Sequence, residues 1–190
     1  MKSHIKSSIK FSLTTAVITF VLAAIFSVIS QSLLSDVMWV VGLLIVLFIV
    51  LIGVVFDMLG IAATAADEKP FHAMAAEKIN GAKEAVRIIR NADRFASFCN
   101  DVIGDISGIV SGTATTIVVL QIANMLRQGD GSSAQIALNV FLTSLVAAIT
   151  VGGKAFGKYF AIHASTNIIF YTGKVVAFLD HRFKIKILSK

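Results

Sequence analysis

Long apolar runs separated by short polar segments dominate the chain. Four of these runs are long enough to cross a bilayer, since about 20 apolar residues span about 30 Å of hydrocarbon as a helix. Each run contains at most one charged residue. Helices are expected because lipid offers the backbone no hydrogen-bond partner. The pattern therefore predicts four transmembrane helices, over about residues 11–34, 37–63, 102–126 and 134–157.

The first apolar run follows three lysines, as the core of a signal peptide does. Lys2, Lys6 and Lys10 precede it. The core of a signal peptide usually has about 7 to 15 apolar residues, and this run is longer. We therefore expect a retained membrane anchor.

The composition places the chain in the same class. Of its 190 residues, 56% are hydrophobic and 15% are charged, whereas about a quarter of the residues in soluble domains are charged. The net charge of +6 could suggest a nucleic-acid partner. However, the basic residues flank the apolar runs, where membrane proteins keep them. The expected fold is an all-α polytopic membrane protein with one transmembrane domain over residues 1–190, and we expect no nucleic-acid partner.

The distribution of lysine and arginine predicts the orientation. Of the 17 basic residues, only Arg127 falls between the third and fourth spans. The others lie before the first span, between the second and third spans, or from Lys154 to the C-terminus. Because basic residues are retained on the cytoplasmic side, we expect a multi-pass protein of the cell membrane with both termini in the cytoplasm.

Two amphipathic segments are expected on the cytoplasmic side. In residues 67–94, apolar side chains recur at roughly helical spacing among charges of both signs, after a break at Pro70. This segment is either a solvated or interfacial helix, or a helix that docks on the membrane core and gates it. Residues 168–190 mix apolar and basic side chains, which predicts an interfacial tail attracted to anionic lipid headgroups.

Acidic residues in and near the spans carry the most informative chemistry. Asp101 and Asp105 lie one helical turn apart at the start of the third span, and Asp57 lies near the inner end of the second. A carboxylate in a membrane is costly, by roughly 2.5 to 3.5 kcal/mol at the centre. The compensation could be a bound cation, a lysine such as Lys154 or Lys158, or protonation.

Glycines at intervals of four suggest close helix packing. Gly104, Gly108 and Gly112 form two overlapping G-x-x-x-G units in the third span, and Gly153 and Gly157 are four apart at the end of the fourth. The last segment also matches the G-x-x-x-x-G-K pattern of a phosphate loop. It lacks the Ser or Thr that should follow, and an apolar span precedes it instead of a strand. Helix packing is therefore the better interpretation, and no catalytic motif indicates an enzyme.

Together these residues resemble a known family. Phe56 to Asn167 is similar to the membrane domain of the CorC/CNNM (cyclin-M-like) magnesium transporters, in which a small-residue motif, a charged helical stretch, a Gly-Asn-Asn span and a Gly-Glu end follow in order. Phe56–Ala62 stands at the first motif, Ala82–Arg94 and Asn100–Asp105 at the second, and Val151–Lys158 at the third. No part of the 190 residues resembles the family's cytoplasmic regulatory domains.

The resemblance implies a magnesium-like cargo and a homodimer, but the motifs are degenerate. Leu59-Gly60 stands where the family has Ser-Glu, and Gly153 or Lys154 replaces the last acid. Hard oxygen donors suit Mg²⁺. The candidate metal ligands are Asp57, Asn100, Asp101 and Asp105.

Two functions follow as expectations. One is a divalent-cation transporter, or part of one, that uses these acids. The other is a non-transporting membrane scaffold or subunit, with its acids paired to lysines and its glycine faces bound to a membrane protein partner or to a second copy. Other solute transport and a membrane enzyme remain further alternatives.

Overall fold

The computed structural model describes residues 2–35, 37–125 and 133–183, and its regular elements within these ranges are all helices. They are α1 (Lys2–Ser35), α2 (Trp39–Ala65), α3 (Lys69–Ala76), α4 (Ala82–Arg90), α5 (Ala92–Ser97), a π-helix (Phe98–Gly104), α6 (Asp105–Met125), α7 (Ser133–His163) and α8 (Ser165–Phe183).

Four stretches of helix are long and apolar enough to cross a membrane, in agreement with the four predicted spans. They cover Ser12–Ser35, Trp39–Ala65, Ala92–Met125 and Ser133–His163. The third begins upstream of the predicted span because α5 and the π-helix continue into α6. The fourth also continues past the predicted end, since Lys154 and Lys158 lie within α7 without interrupting it.

The segment expected between the second and third spans is broken into three short helices. Pro70 lies in the first turn of α3, where its missing N–H costs no hydrogen bond. The chain turns between α3 and α4 through Lys78, with φ of 59°, and Gly81, with φ of 86°. Such positive φ values end a right-handed helix, so one continuous helix cannot form here.

The π-helix is the one element without a counterpart in the sequence prediction. It holds Asn100 and Asp101, and α6 begins at Asp105. A π-helix closes its hydrogen bonds at i→i+5 and is often found at functional sites. The α-helical spacing that puts Asp101 one turn before Asp105 therefore does not hold here, because regular α-helix begins only at Asp105.

The chain divides into two compact units. Unit 1 comprises Met1–Val54 and Val102–Gly153, and unit 2 comprises Val55–Asp101 and Lys154–Lys190. In unit 1, α1 packs along α6, and apolar side chains of α1, α2, α6 and α7 form the core. Its fully or nearly fully buried members include Leu34, Val46, Val50, Ala114, Val118 and Val146.

Unit 2 has its own apolar core, built mainly by short helices. Here α4 packs against α3, α5 and α8. Phe71, Ile88 and Ile169 are fully buried in this core. The segment of residues 67–94 is therefore not a freely solvated helix, because α3 and α4 bury part of their apolar faces.

Candidate functional site

Asp57 is paired with a lysine. The Lys154 Nζ lies 3.5 Å from the Asp57 Oδ1, and the two side chains are 27% and 16% exposed. Both belong to unit 2. A lysine is one of the three forms of compensation that the sequence predicts for the acidic residues. Because Lys154 already supplies a positive charge, Asp57 is a poor ligand for a divalent cation.

Asn100 lies in the π-helix against a glycine of α2. A Cβ added at Gly60 would collide with the Asn100 side-chain amide, so the missing side chain of Gly60 makes room for it. The Asn100 Oδ1 is buried and accepts no hydrogen bond from the described residues. A buried acceptor without a donor costs about 1 to 3 kcal/mol, and this atom is the strongest sign of a missing partner in unit 2.

Asp101 and Asp105 are exposed and belong to different units, Asp101 to unit 2 and Asp105 to unit 1. Within the described ranges, neither of them forms an ion pair. In the same part of the chain, no three His, Cys, Asp or Glu side chains gather closely enough to hold a metal ion. The donor set is therefore a poor fit for a preformed all-protein magnesium site.

The polarity of α6 has a simple structural origin. Ser107, Ser111 and Thr115 are at least nine-tenths buried. The Ser111 hydroxyl donates to the Gly108 carbonyl at 2.9 Å, and the Thr115 hydroxyl to the Ser111 carbonyl at 2.7 Å. Hydroxyls that bond back to their own helix need no partner elsewhere. This polar face is therefore packed inside unit 1.

The predicted packing glycines behave in different ways. A Cβ added at Gly153 would lie 3.0 Å from the Val54 Cγ2, so this glycine packs against α2. Gly104 is buried, and its carbonyl oxygen lies 3.7 Å from the Cβ position of Gly53. Gly157 is buried in unit 2.

Gly108 and Gly112 are open. In the described structure, no atom outside their own helix lies within 4 Å of the Cβ position of either glycine. Both residues are exposed on α6. The expected contact with another helix is therefore not made among the described residues.

A second set of packed glycines lies in α2 and is not among the predicted packing residues. A Cβ at Gly42 would lie 2.9 Å from a Val118 methyl, and one at Gly53 would lie 2.8 Å from the Ser107 Cβ. Gly42, Gly53 and Gly60 follow at intervals of eleven and seven residues, which are near-integral numbers of helical turns. This longer spacing could have identified them as one packed face.

Comparison with known proteins adds no identification. No family model matches the chain, and no match was found among curated proteins or among solved structures. The resemblance to the CorC/CNNM membrane domain therefore stays a prediction.

Proposed function

We propose that this chain is a multi-pass membrane protein that acts by binding a partner membrane helix along α6. The observation that carries the proposal is the open face at Gly108 and Gly112. The helical glycines Gly42, Gly53 and Gly153 have their space filled by neighbouring side chains of unit 1. A glycine that faces lipid gains little contact, whereas one that faces a second helix lets the two backbones approach closely.

The surroundings of these glycines support a helix as the partner. Asp105 begins the same helix and is exposed, as are Thr113 and Thr116. A carboxylate on a lipid-facing surface is costly, whereas a partner helix can supply hydrogen bonds or a positive charge to it. A partner helix packed along α6 can bury these exposed residues without any change within unit 1.

The proposal is tested by replacing the open glycines with leucine and measuring assembly in detergent by light scattering. Gly108→Leu and Gly112→Leu should dissociate the assembly that the wild type forms in detergent, without lowering the melting temperature. Gly152→Leu is the matched control, because Gly152 is also helical and has no atom within 4 Å of its Cβ position among the described residues. Unchanged assembly in both α6 variants, or the same loss in the control, would refute the proposal.

Divalent-cation transport is the second candidate. It is favoured by two features of unit 2, the exposed carboxylate of Asp101 and the Asn100 Oδ1, which has no hydrogen-bond partner among the described residues. A cation that binds only the folded protein must raise its stability. Millimolar magnesium should then raise the melting temperature of the wild type, and the increase should disappear in Asp101→Asn. A wild type that does not respond to magnesium would exclude a stabilising ion site.

For the orientation in the cell membrane, we propose cytoplasmic termini, supported by the bias of the basic residues. Reporter fusions at residues 1 and 190 should both read inside, and a fusion at Gly131 should read outside. An external signal from either terminus would contradict this topology.

A further inference from the structure

Helix α8 presents two apolar faces, and only one of them is packed. Ile169, Gly173 and Val176 are buried and recur at intervals of four and three, so they share one face. This face packs on α4: a Cβ at Gly173 would lie 3.0 Å from the Ala85 backbone nitrogen. The core of unit 2 therefore accounts for this half of the helix.

The opposite face is apolar and open. Tyr171, Val175 and Phe178 also recur at intervals of four and three, and they are 65%, 57% and 68% exposed. Their positions fall about half a turn away from the packed face. We call this set the outer stripe of α8. A contiguous apolar stripe on a surface marks a site of contact with a lipid or protein partner.

Basic side chains lie beside the outer stripe. The Lys174 Nζ lies 4.3 Å from the centre of the Phe170 ring and 5.6 Å from that of Tyr171. Arg182 is exposed and lies four residues after Phe178, hence on the same side of the helix. Apolar side chains flanked by cations are typical of a helix that lies at a membrane surface.

A groove lies where the outer stripe ends. It has a volume of about 420 Å³ and is lined by Asn80, Ala177, Phe178 and Arg182. Its lining combines an amide, a guanidinium and an aromatic ring. A guanidinium can donate two parallel hydrogen bonds to a phosphate, and the ring offers an apolar surface beside it.

We propose that this face of α8 binds an anionic phospholipid. The phosphate lies in the groove between Asn80 and Arg182, and the acyl chains follow the outer stripe. Charge complementarity selects this occupant, because the groove and its surroundings carry Lys174 and Arg182, and the sequence continues with Lys184, Lys186 and Lys190. Anionic headgroups attract such basic clusters next to a membrane span.

The test uses the full chain in detergent, titrated with acyl-labelled phosphatidylglycerol or phosphatidylcholine and followed by fluorescence anisotropy. The wild type should prefer phosphatidylglycerol. Arg182→Gln should lower that affinity roughly fivefold, which is the contribution of one basic residue near anionic lipid. Arg87→Gln is the matched control, because Arg87 is an equally charged, exposed residue on α4, and it should leave the affinity unchanged.

Three further measurements distinguish a bound phospholipid from free phosphate and from a second copy of the chain. Phe178→Ala should weaken the binding of both lipids, since it removes apolar contact without changing charge. Excess inorganic phosphate should not displace the lipid. Light scattering should give the same mass for the wild type and Phe178→Ala.

Each contrary result overturns the proposal in a different way. Equal affinities for the two lipids would exclude selection for an anionic headgroup. Equal losses in Arg182→Gln and Arg87→Gln would mean that only the overall charge matters. Complete displacement by phosphate would indicate a simple anion site. A smaller mass for Phe178→Ala with unchanged lipid binding would mean that a second copy covers the outer stripe.

Discussion

Unit 1 and unit 2 are each stabilised by a different kind of interaction. The two ion pairs with lysine or arginine found among the described residues lie in unit 2, and they join Glu68 to Arg90 and Asp57 to Lys154. Glu68 also forms a hydrogen bond with His72 there. The described part of unit 1 is instead held by apolar packing, close contacts at glycines and uncharged hydrogen bonds. Charges are costly inside a bilayer, so this division is expected if unit 1 contains most of the membrane-embedded surface. It also implies that pH and salt act mainly on unit 2.

The largest effect is expected at Gly81 in unit 2, which lies against the backbone of α8 and has a positive φ. A Cβ at Gly81 would lie 2.6 Å from the Lys174 backbone nitrogen, and Gly81 has φ of 86°. Gly81→Ala should therefore cost about 3 kcal/mol, because a side chain at positive φ costs about 1 to 2 kcal/mol and overpacking adds about 1 to 3 kcal/mol. Thermal unfolding in detergent measures the loss.

Gly112→Ala is the comparison in unit 1, because the Cβ position of Gly112 is open within the described structure. Alanine in a helix interior is favoured over glycine by roughly 0.5 to 1 kcal/mol, so the melting temperature should not fall. Equal losses in the two variants would mean that the packing at Gly81 is not special.

The second-largest loss of stability is expected from removing the hydrogen bonds of the Gln121 side chain. In unit 1, the Gln121 Nε2 donates to the backbone carbonyls of Leu34 at 2.7 Å and of Val37 at 3.1 Å. Gln121→Leu leaves these acceptors without their donor, and an unsatisfied buried group costs about 1 to 3 kcal/mol. The loss in unfolding free energy should not depend on salt. Gln31→Leu, at an exposed position of α1, should change it little, and an equal loss there would argue against the role of these bonds.

The Asp57–Lys154 ion pair should give a smaller, salt-dependent effect. Asp57→Asn leaves Lys154 without its partner. Breaking a fully buried pair costs about 3 to 5 kcal/mol, whereas an exposed pair contributes at most about 1 kcal/mol. These side chains are partly exposed, so we expect about 1 to 2 kcal/mol.

Combining Asp57→Asn with Lys154→Met should recover most of the lost stability, because no unpaired charge then remains. Melting curves at low and high salt test this point. A double variant that is less stable than Asp57→Asn alone would show that Lys154 stabilises the fold through other contacts.

The smallest effect concerns Glu68. Hydrogen bonds from Arg90 and His72 hold the pKa of its carboxyl below the ordinary value of 4.5. The contribution of Glu68 to stability is therefore complete above that value and is lost as the pH falls through the lowered pKa. Melting temperatures measured from neutral pH to about pH 3 should fall less steeply in Glu68→Gln than in the wild type. Parallel curves would show that this cluster does not stabilise unit 2.

The sequence was sufficient to predict the helical class and the four long apolar helices, because each apolar run exceeds the length of a bilayer span. It could not show which glycines are packed. Gly108 and Gly53 both lie in apolar helices, yet Gly108 is open and Gly53 lies against Ser107. Spacing identifies residues that share a helix face, but tertiary structure decides what that face contacts. The Asp57–Lys154 pair was hidden for the same reason, since nearly 100 residues separate its members.

The hydrogen bonds of Gln121 can form only late in the synthesis of unit 1. Gln121 follows Val37 by 84 residues. At about 5 to 20 residues per second, the ribosome needs roughly 4 to 17 seconds to make this stretch. Until then, the carbonyls of Leu34, near the end of α1, and of Val37, just after it, lack the amide donor that they have in the finished protein. Both α1 and α2 are therefore made before these two carbonyls receive their donor, which arrives with the third apolar helix.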